Sequence, residues 1–146
     1  MLVLCSSCGQ ARDLGVSLSP ATEAALDAIW PAPLTAILPL RQPVAASAGA
    51  TTIGIRIPAV DWIRELAELT GPIASTSVNY AGEPPASGVE LVPSEIIDAV
   101  DGIVDGGSLE GKPSTIVDLT TSPPTILRQG VFDFSQELWK TMWKSL

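Results

Sequence analysis

Three short hydrogen-bonding side chains lie within four residues of one another, just after an apolar stretch of the chain ends. Residues 72–75 predict a strand, and Thr76, Ser77 and Asn79 follow it, before a loop at 80–85 that ends in two prolines. Open α/β sheets bind ligands at the carboxyl ends of their strands, and short polar side chains can donate hydrogen bonds to phosphate or carboxylate oxygens. The pattern therefore predicts an anion-binding loop. A polar loop that only satisfies its own turn is the alternative on this pattern alone.

The few basic side chains stand out in an acidic chain. The 146 residues carry 8 basic and 16 acidic side chains, for a net charge of −8. Nucleic-acid backbones are bound by basic patches, so we expect no strong nucleic-acid binding. A local Arg is instead a candidate ligand for a small anion. Arg56, at the end of a predicted strand, could hold a carboxylate with its planar fork of donors; pairing with a nearby acid is the alternative.

Cys5 and Cys8 form a lone C-x-x-C. A structural zinc site takes four Cys or His ligands, and the chain has no His and only these two Cys. A redox pair would need a helix N-terminus in an electropositive setting. We predict that both cysteines are incidental.

The uncharged run at 28–40 contains three prolines and is too short for the roughly 20 apolar residues of a membrane span, so we expect no membrane insertion and a cytoplasmic location.

The elements that must position these residues are short strands alternating with short helices. Strands are predicted at 2–4, 34–40, 51–57, 72–75, 102–105, 115–119 and 125–128. Helices are predicted at 9–14, 20–30, 61–69, 95–100 and from residue 135 onward. This alternation is typical of an α/β fold with a twisted, mixed sheet, and the length fits a single domain over 1–146.

Two helices carry an apolar face. The helix at 61–69 places Trp62, Leu66 and Leu69 together, with its charged side chains outward, so we expect this face to be packed. The strands before and after this helix predict a crossover unit over 51–77. The last helix carries an apolar stripe that we expect to lie in the core, with a partner site as the alternative: Leu138, Trp139, Met142, Trp143 and Leu146.

Four stretches resemble, in order and spacing, motifs of the YrdC-like family, the threonylcarbamoyl-adenylate synthases. Thr76-Ser77-Val78-Asn79, with Gly82-Glu83 close behind, resembles the family's Thr-Ser-x-Asn and Gly-Glu. The other three are Trp30-Pro31-Ala32-Pro33-Leu34-Thr35, Arg56-Ile57-Pro58, and Ser114-Thr115-Ile116-Val117-Asp118 with Leu127-Arg128-Gln129-Gly130. The resemblance runs from about residue 2 to about residue 138. It implies a YrdC-type twisted mixed sheet with flanking short helices.

The resemblance also implies a reaction. The family joins ATP, L-threonine and bicarbonate into threonylcarbamoyl-AMP and releases pyrophosphate, a nucleotidyl transfer that feeds modification of an adenosine in tRNA. ATP would bind together with Mg²⁺, and no catalytic side chain or protein-bound metal is implied. Arg56 would hold the threonine carboxylate. The nucleotide phosphates would be held by Ser77, Asn79, Ser114 and Arg128, with Thr76 in support.

Two family motifs have no counterpart in these residues: a Thr-Asp-Thr-x-Tyr-Gly-Leu strand, and a Lys-x-Arg followed by Pro-Leu. Met1-Leu2-Val3-Leu4 would align just past that Pro-Leu, so we expect an N-terminally truncated family domain. Because Lys-x-Arg would supply two cations to the reactants, we expect weak or no pyrophosphate release by these 146 residues alone. The alternative function is a non-catalytic nucleotide-binding remnant or a partner-dependent half-domain. A second copy or a partner chain would then cover the truncated edge of the sheet.

Overall fold

Apolar runs of three to six residues pair into one mixed sheet in the computed structural model, which describes residues 1–80, 82–109, 111–135 and 139. Its strands are β1 (Leu2–Leu4), β2 (Leu34–Pro39), β3 (Thr52–Arg56), β4 (Ile73–Ser75), β5 (Thr115–Asp118) and β6 (Thr125–Arg128). Their order across the sheet is β4-β1-β3-β2-β5-β6. The β1–β3 and β2–β5 pairs are parallel, and the other pairs are antiparallel. The predicted α/β class with a mixed sheet is confirmed.

Short helices accompany the sheet. They are α1 (Cys8–Asp13), α2 (Pro20–Asp27), α3 (Asp61–Thr70) and α4 (Ser94–Ile97) in the described residues. The start of α2 is as predicted, because the Ser19 side chain accepts a hydrogen bond from the Thr22 amide and Pro20 occupies the first turn. No helix in the described part of the chain is long and apolar enough to cross a membrane.

The chain divides into two compact units, Met1–Ser75 with Pro113–Leu146, and Thr76–Lys112. The whole sheet belongs to the first unit. A single domain over 1–146 stays a prediction.

Of the predicted last helix, the structure describes Ser135 and Trp139. Trp139 is buried and helical, and its ring lies 6.1 Å from that of Phe134; the rest of the predicted stripe lies outside the described residues.

The core of the first unit combines buried residues of the sheet with those of α1 and α2. Fully buried side chains come from α2 and from neighbouring strands: Leu26, Leu34, Leu38, Ile55 and Val117. Cys5 and Cys8 belong to the same core and are free thiols. Burial raises the pKa of Cys5 from 9.0 to about 12. It also raises the pKa of Cys8, with a further contribution from Asp27. Both thiols are therefore protonated at neutral pH, as expected of structural cysteines.

The predicted crossover over 51–77 is wrong. In a crossover unit the helix returns the chain to the opposite end of the sheet, so the second strand runs parallel to the first. Here Leu4 of β1 pairs with Arg56 at the end of β3 and also with Ile73 at the start of β4. The connection through α3 therefore begins and ends at the same end of the sheet. As a result, β4 runs antiparallel to β1 and lies at the edge of the sheet.

The apolar face of α3 is also placed differently from the prediction. Trp62, Leu66 and Leu69 are 48%, 41% and 85% exposed, whereas Ala67 is buried. The helix contacts the rest of the unit through the Ala67 side of its surface, where the Gln10 side chain donates a 2.6 Å hydrogen bond to the Ala67 carbonyl. The amphipathic pattern identified which side chains share a face, but a small residue on another face makes the contact.

The strand predicted at 102–105 is absent from the second unit, where these residues have no regular structure. Ile103 and Val104 are 49% and 75% exposed. These side chains are not packed against a core, so no burial of apolar surface stabilises a strand here. The helix predicted at 95–100 is shortened to α4. The sequence predicts Ser94 as the N-cap of this helix, but Pro93 occupies that position. Ser94 is the first residue of α4, and its hydroxyl donates to the Glu95 carboxylate.

Candidate anion-binding site

One end of the sheet carries several of the side chains singled out from the sequence. β2 and β5 begin there, at Leu34 and Thr115, which pair with each other. β3 and β6 end there, at Arg56 and Arg128. The register also places Thr35, Ile116 and Arg128 side by side on β2, β5 and β6, since Thr35 pairs with Ile116 and Ile116 pairs with Arg128. This end of the sheet therefore collects two guanidinium groups from strands that run into it.

Ser114 and Arg128 are in direct contact. Arg128 Nε donates a 3.0 Å hydrogen bond to the Ser114 carbonyl, and its Nη2 lies 3.3 Å from Ser114 Oγ. These two bonds use two of the five N–H donors of the guanidinium. Three donors of Arg128 thus have no partner among the described residues, and an oxyanion could accept from them. Ser114 is 7% exposed, and its hydroxyl also contacts Thr35 Oγ1 at 3.0 Å.

The loop after β6 holds this pair in place. Thr115 Oγ1 donates to the Phe132 carbonyl at 2.5 Å and accepts from the Gly130 amide at 2.9 Å. The Val131 amide donates to the Pro113 carbonyl at 3.1 Å. Thr115 is fully buried, which agrees with the structural role that its position suggests.

Gly130 is required by close approach of the backbone rather than by a positive φ. A Cβ added there would overlap the Pro113 carbonyl oxygen and the backbone of Ser114. Neither Gly130 nor Thr35 was singled out by sequence reasoning, although both lie within the quoted motifs. The signal that could have found them is the register that brings residues 34–35, 114–116 and 128–130 together.

Arg56 occupies the last position of β3, next to the start of β2, and is half-buried. Its Nε is buried and has no hydrogen-bond partner among the residues that the structure describes. Burial lowers the pKa of Arg56 because desolvation disfavours the charged form. A buried guanidinium donor without a partner is costly. An anion could accept from this atom only after the side chain moves, because the atom is buried, and a carboxylate ligand at Arg56 stays a prediction.

Ser77 and Asn79 contact each other in the second unit. The Ser77 hydroxyl donates to Asn79 Oδ1, and Asn79 Nδ2 donates to the carbonyls of Tyr80 and Glu83, the latter at 2.6 Å. Val78 between them has a φ of +49°, which is strained for a β-branched residue. These bonds are those that a self-satisfied turn would make, so the alternative drawn from the sequence accounts for them.

The second unit contains a cavity of about 270 Å³ beside Asn79. Its walls are formed by residues 83–87 together with Val78, Asn79, Leu91 and Pro93. Drug-sized ligands occupy pockets of roughly 300–1,000 Å³, so this cavity is too small to enclose a nucleotide by itself. Thr76 is exposed at the start of this unit. Convergence of Thr76, Ser77 and Asn79 with the sheet end stays a prediction.

No metal-ligand cluster lies in the described part of the chain, where no group of three or more Cys, Asp or Glu side chains could hold a metal ion. The Mg²⁺ expected with ATP stays a prediction.

A family model described as "Telomere recombination", for the Sua5/YciO/YrdC family, matches residues 1–130. The chain is 37% identical over 105 residues to threonylcarbamoyl-AMP synthase of Pyrococcus abyssi. The matched residues make up 69% of this chain and 31% of that protein. It is 30% identical over 135 residues to threonylcarbamoyl-AMP synthase of Bacillus subtilis. Here the matched residues make up 89% of this chain and 39% of that protein.

A solved structure extends the likeness to three dimensions. The crystal structure of P. abyssi Sua5 complexed with L-threonine superposes with a TM-score of 0.77 at 32% identity, and covers 88% of this chain and 39% of that one. The chain thus spans between 31% and 39% of the length of these relatives.

Proposed function

Because the chain belongs to the Sua5/YciO/YrdC family, we propose that the end of the sheet formed by Arg56, Ser114 and Arg128 binds the reactants of threonylcarbamoyl-AMP synthesis. The observation that carries the proposal is the hydrogen-bonded pair of Arg128 and Ser114, which leaves three guanidinium donors available at the end of the sheet where β3 delivers Arg56. The reactants would be ATP, L-threonine and bicarbonate.

The proposed reaction brings anions together. The threonine amine and bicarbonate combine into a carbamate with loss of water, a carbamate oxygen attacks the α-phosphorus of ATP, and pyrophosphate leaves. No step needs a nucleophilic side chain. The protein's task is to orient two anionic reactants and to stabilise the charge on phosphorus oxygens, for which guanidinium and hydroxyl donors are suited.

Arg56 is the proposed ligand of the threonine carboxylate. A carboxylate accepts two parallel hydrogen bonds from one guanidinium, and the buried Nε of Arg56 lacks a partner among the described residues. Pairing would compensate the desolvation that lowers the Arg56 pKa.

Arg128 and Ser114 are the proposed ligands of the nucleotide phosphates, with Ser77 and Asn79 as further ligands and Thr76 in support. The amide of Asn79 now donates within its own loop, so its contribution requires those hydrogen bonds to be exchanged for bonds to phosphate. Modification of tRNA and a cytoplasmic location belong to the same proposal.

A second function is a nucleotide-binding half-domain that depends on a partner. It is favoured by the β6 edge of the sheet, because all four residues of β6 are exposed. A second copy or a partner chain could pair with such an edge. In this case nucleotide binding would be retained while pyrophosphate release by the 146 residues is weak or absent.

The experiment that tests nucleotide binding is calorimetric titration of the chain with ATP and Mg²⁺. Arg128→Ala should weaken binding about 10- to 100-fold, because it removes a charge-assisted contact of roughly 1.5–3 kcal/mol. Asn79→Ala should weaken it less. Arg41→Ala is the matched control: it removes the same charge from an exposed side chain whose guanidinium donates to the Arg12 carbonyl. Equal affinities for the Arg128→Ala and Arg41→Ala variants would remove Arg128 from the site.

A further inference from the structure

Thr35 carries a buried hydroxyl for which the proposed reaction has no other use. It lies in β2, is 4% exposed, and its Oγ1 is 3.0 Å from Ser114 Oγ. Arg128 Nη2 lies 3.3 Å from the same oxygen. The Ser114 hydroxyl is therefore held between a second hydroxyl and a guanidinium.

Either hydroxyl can donate in the hydrogen bond between Thr35 and Ser114, and the choice decides whether Ser114 can donate to a ligand. A hydroxyl has one hydrogen to donate and two lone pairs that accept. Arg128 can only donate, so it occupies one lone pair of Ser114. If Ser114 donated to Thr35, no hydrogen would remain for a ligand. If Thr35 donates to Ser114, both lone pairs are occupied and the Ser114 hydrogen is available to an oxyanion, which only accepts.

We propose that Thr35 is a positioning residue, whose hydroxyl donates to Ser114 and thereby directs the Ser114 hydrogen towards a phosphate oxygen of bound ATP. This inference rests on the proposed function, since it takes the nucleotide as the ligand of Ser114.

The surroundings of Thr35 hold its hydroxyl oxygen beside Ser114. The methyl group faces Gly54 of β3, where an added Cβ would lie 3.4 Å from Thr35 Cγ2. The backbone before it is fixed by the Trp30 indole, which donates a 2.9 Å hydrogen bond to the Leu34 carbonyl, and by the Thr115 amide, which donates to the Pro33 carbonyl. A β-branched side chain has few χ1 choices in a strand, so the methyl contact leaves the hydroxyl on the Ser114 side.

The test is calorimetric titration of ATP with Mg²⁺ into a set of variants. Thr35→Val keeps the shape and removes the hydroxyl, and we expect ATP affinity to fall about 3- to 10-fold, as for the loss of one neutral hydrogen bond. Thr35→Ser keeps the hydroxyl and should stay within about 2-fold of the wild type. In a Ser114→Ala background, Thr35→Val should cause no further loss, because the group it directs is gone.

Thr125→Val is the matched control. Like Thr35, Thr125 bonds the hydroxyl of another side chain, that of Thr121 at 3.1 Å, but Thr125 is exposed. It should leave ATP affinity unchanged. Urea unfolding of each variant separates lost stability from lost affinity, and Thr35→Ala replaces Thr35→Val if the latter does not fold.

The outcomes separate the two claims. If the wild type does not bind ATP, the proposed function fails, and this inference fails with it. If Ser114→Ala weakens binding while Thr35→Val does not, only the positioning role of Thr35 is overturned. An equal loss for Thr35→Val with and without Ser114→Ala would also overturn it.

Discussion

At the scale of single residues, the backbone around Ser114 leaves no room for a side chain at Gly130. The Gly130 amide bonds to Thr115, and a Cβ on Gly130 would overlap the carbonyl of Pro113 and the backbone of Ser114. Since Arg128 is only two residues away, a displacement at Gly130 is transmitted to the guanidinium that contacts Ser114. The geometry of the proposed phosphate ligands therefore depends on a residue that itself offers no ligand.

We predict that Gly130→Ala lowers the free energy of unfolding by about 1–3 kcal/mol, as expected for overpacking, and weakens ATP binding. Urea unfolding and calorimetry measure the two effects. Gly102→Ala is the control, because a Cβ there would meet no atom within 4 Å and its φ needs no glycine. If both variants unfold at the same urea concentration, the close approach at Gly130 is not present in solution.

Sequence reasoning found Ser114 and Arg128 but not Thr35, whose hydroxyl bonds to that of Ser114. Ser114 and Arg128 are separated by one hairpin, whose turn is marked by Ser122-Pro123-Pro124, so their proximity follows from local pattern. Thr35 is 79 residues from Ser114. Their contact depends on the parallel register of β2 and β5, which no local pattern specifies. Polar partners from distant strands are therefore the part of such a site that the sequence leaves open.

At the scale of elements, α3 shows what amphipathicity can and cannot predict. Its bounds, Asp61–Thr70, follow closely from the pattern and from Gly71, which ends the helix with a φ of +89°. The amphipathic pattern does not predict which face of α3 is packed. The buried face carries the small side chain of Ala67, while the large side chains of Trp62 and Leu69 are exposed.

We predict that Leu69→Glu changes the free energy of unfolding by no more than about 0.5 kcal/mol, because Leu69 is 85% exposed. On the same helix, Ala67→Leu should cost about 1–3 kcal/mol, because Ala67 is fully buried. Thermal and urea unfolding of the two variants measure this difference. A larger loss for Leu69→Glu than for Ala67→Leu would show that the apolar face is packed, as the sequence pattern suggested.

At the scale of the whole molecule, the sheet places residues that are distant in sequence at the same end, where β2 and β5 begin and β3 and β6 end. The starts of β2 and β5 coincide because these two strands run parallel, and the ends of β3 and β6 join them because β3 is antiparallel to β2 and β6 is antiparallel to β5. The fold class could be predicted, since strands and short helices alternate along the chain. The direction of β4 could not, because it depends on how the connection through α3 returns to the sheet.

The central claim is that guanidinium groups at this end of the sheet bind the reactants, and the Nε–H resonance of Arg56 reports on it most directly. In a ¹⁵N-labelled chain titrated with L-threonine, we predict a saturable shift of this resonance. The Nε–H of Arg41 should not move, because Arg41 lies on an exposed loop. The shift should disappear when L-threonine is replaced by its amide, which lacks the carboxylate. An Arg56 resonance that does not respond to L-threonine, with or without ATP, would contradict the account.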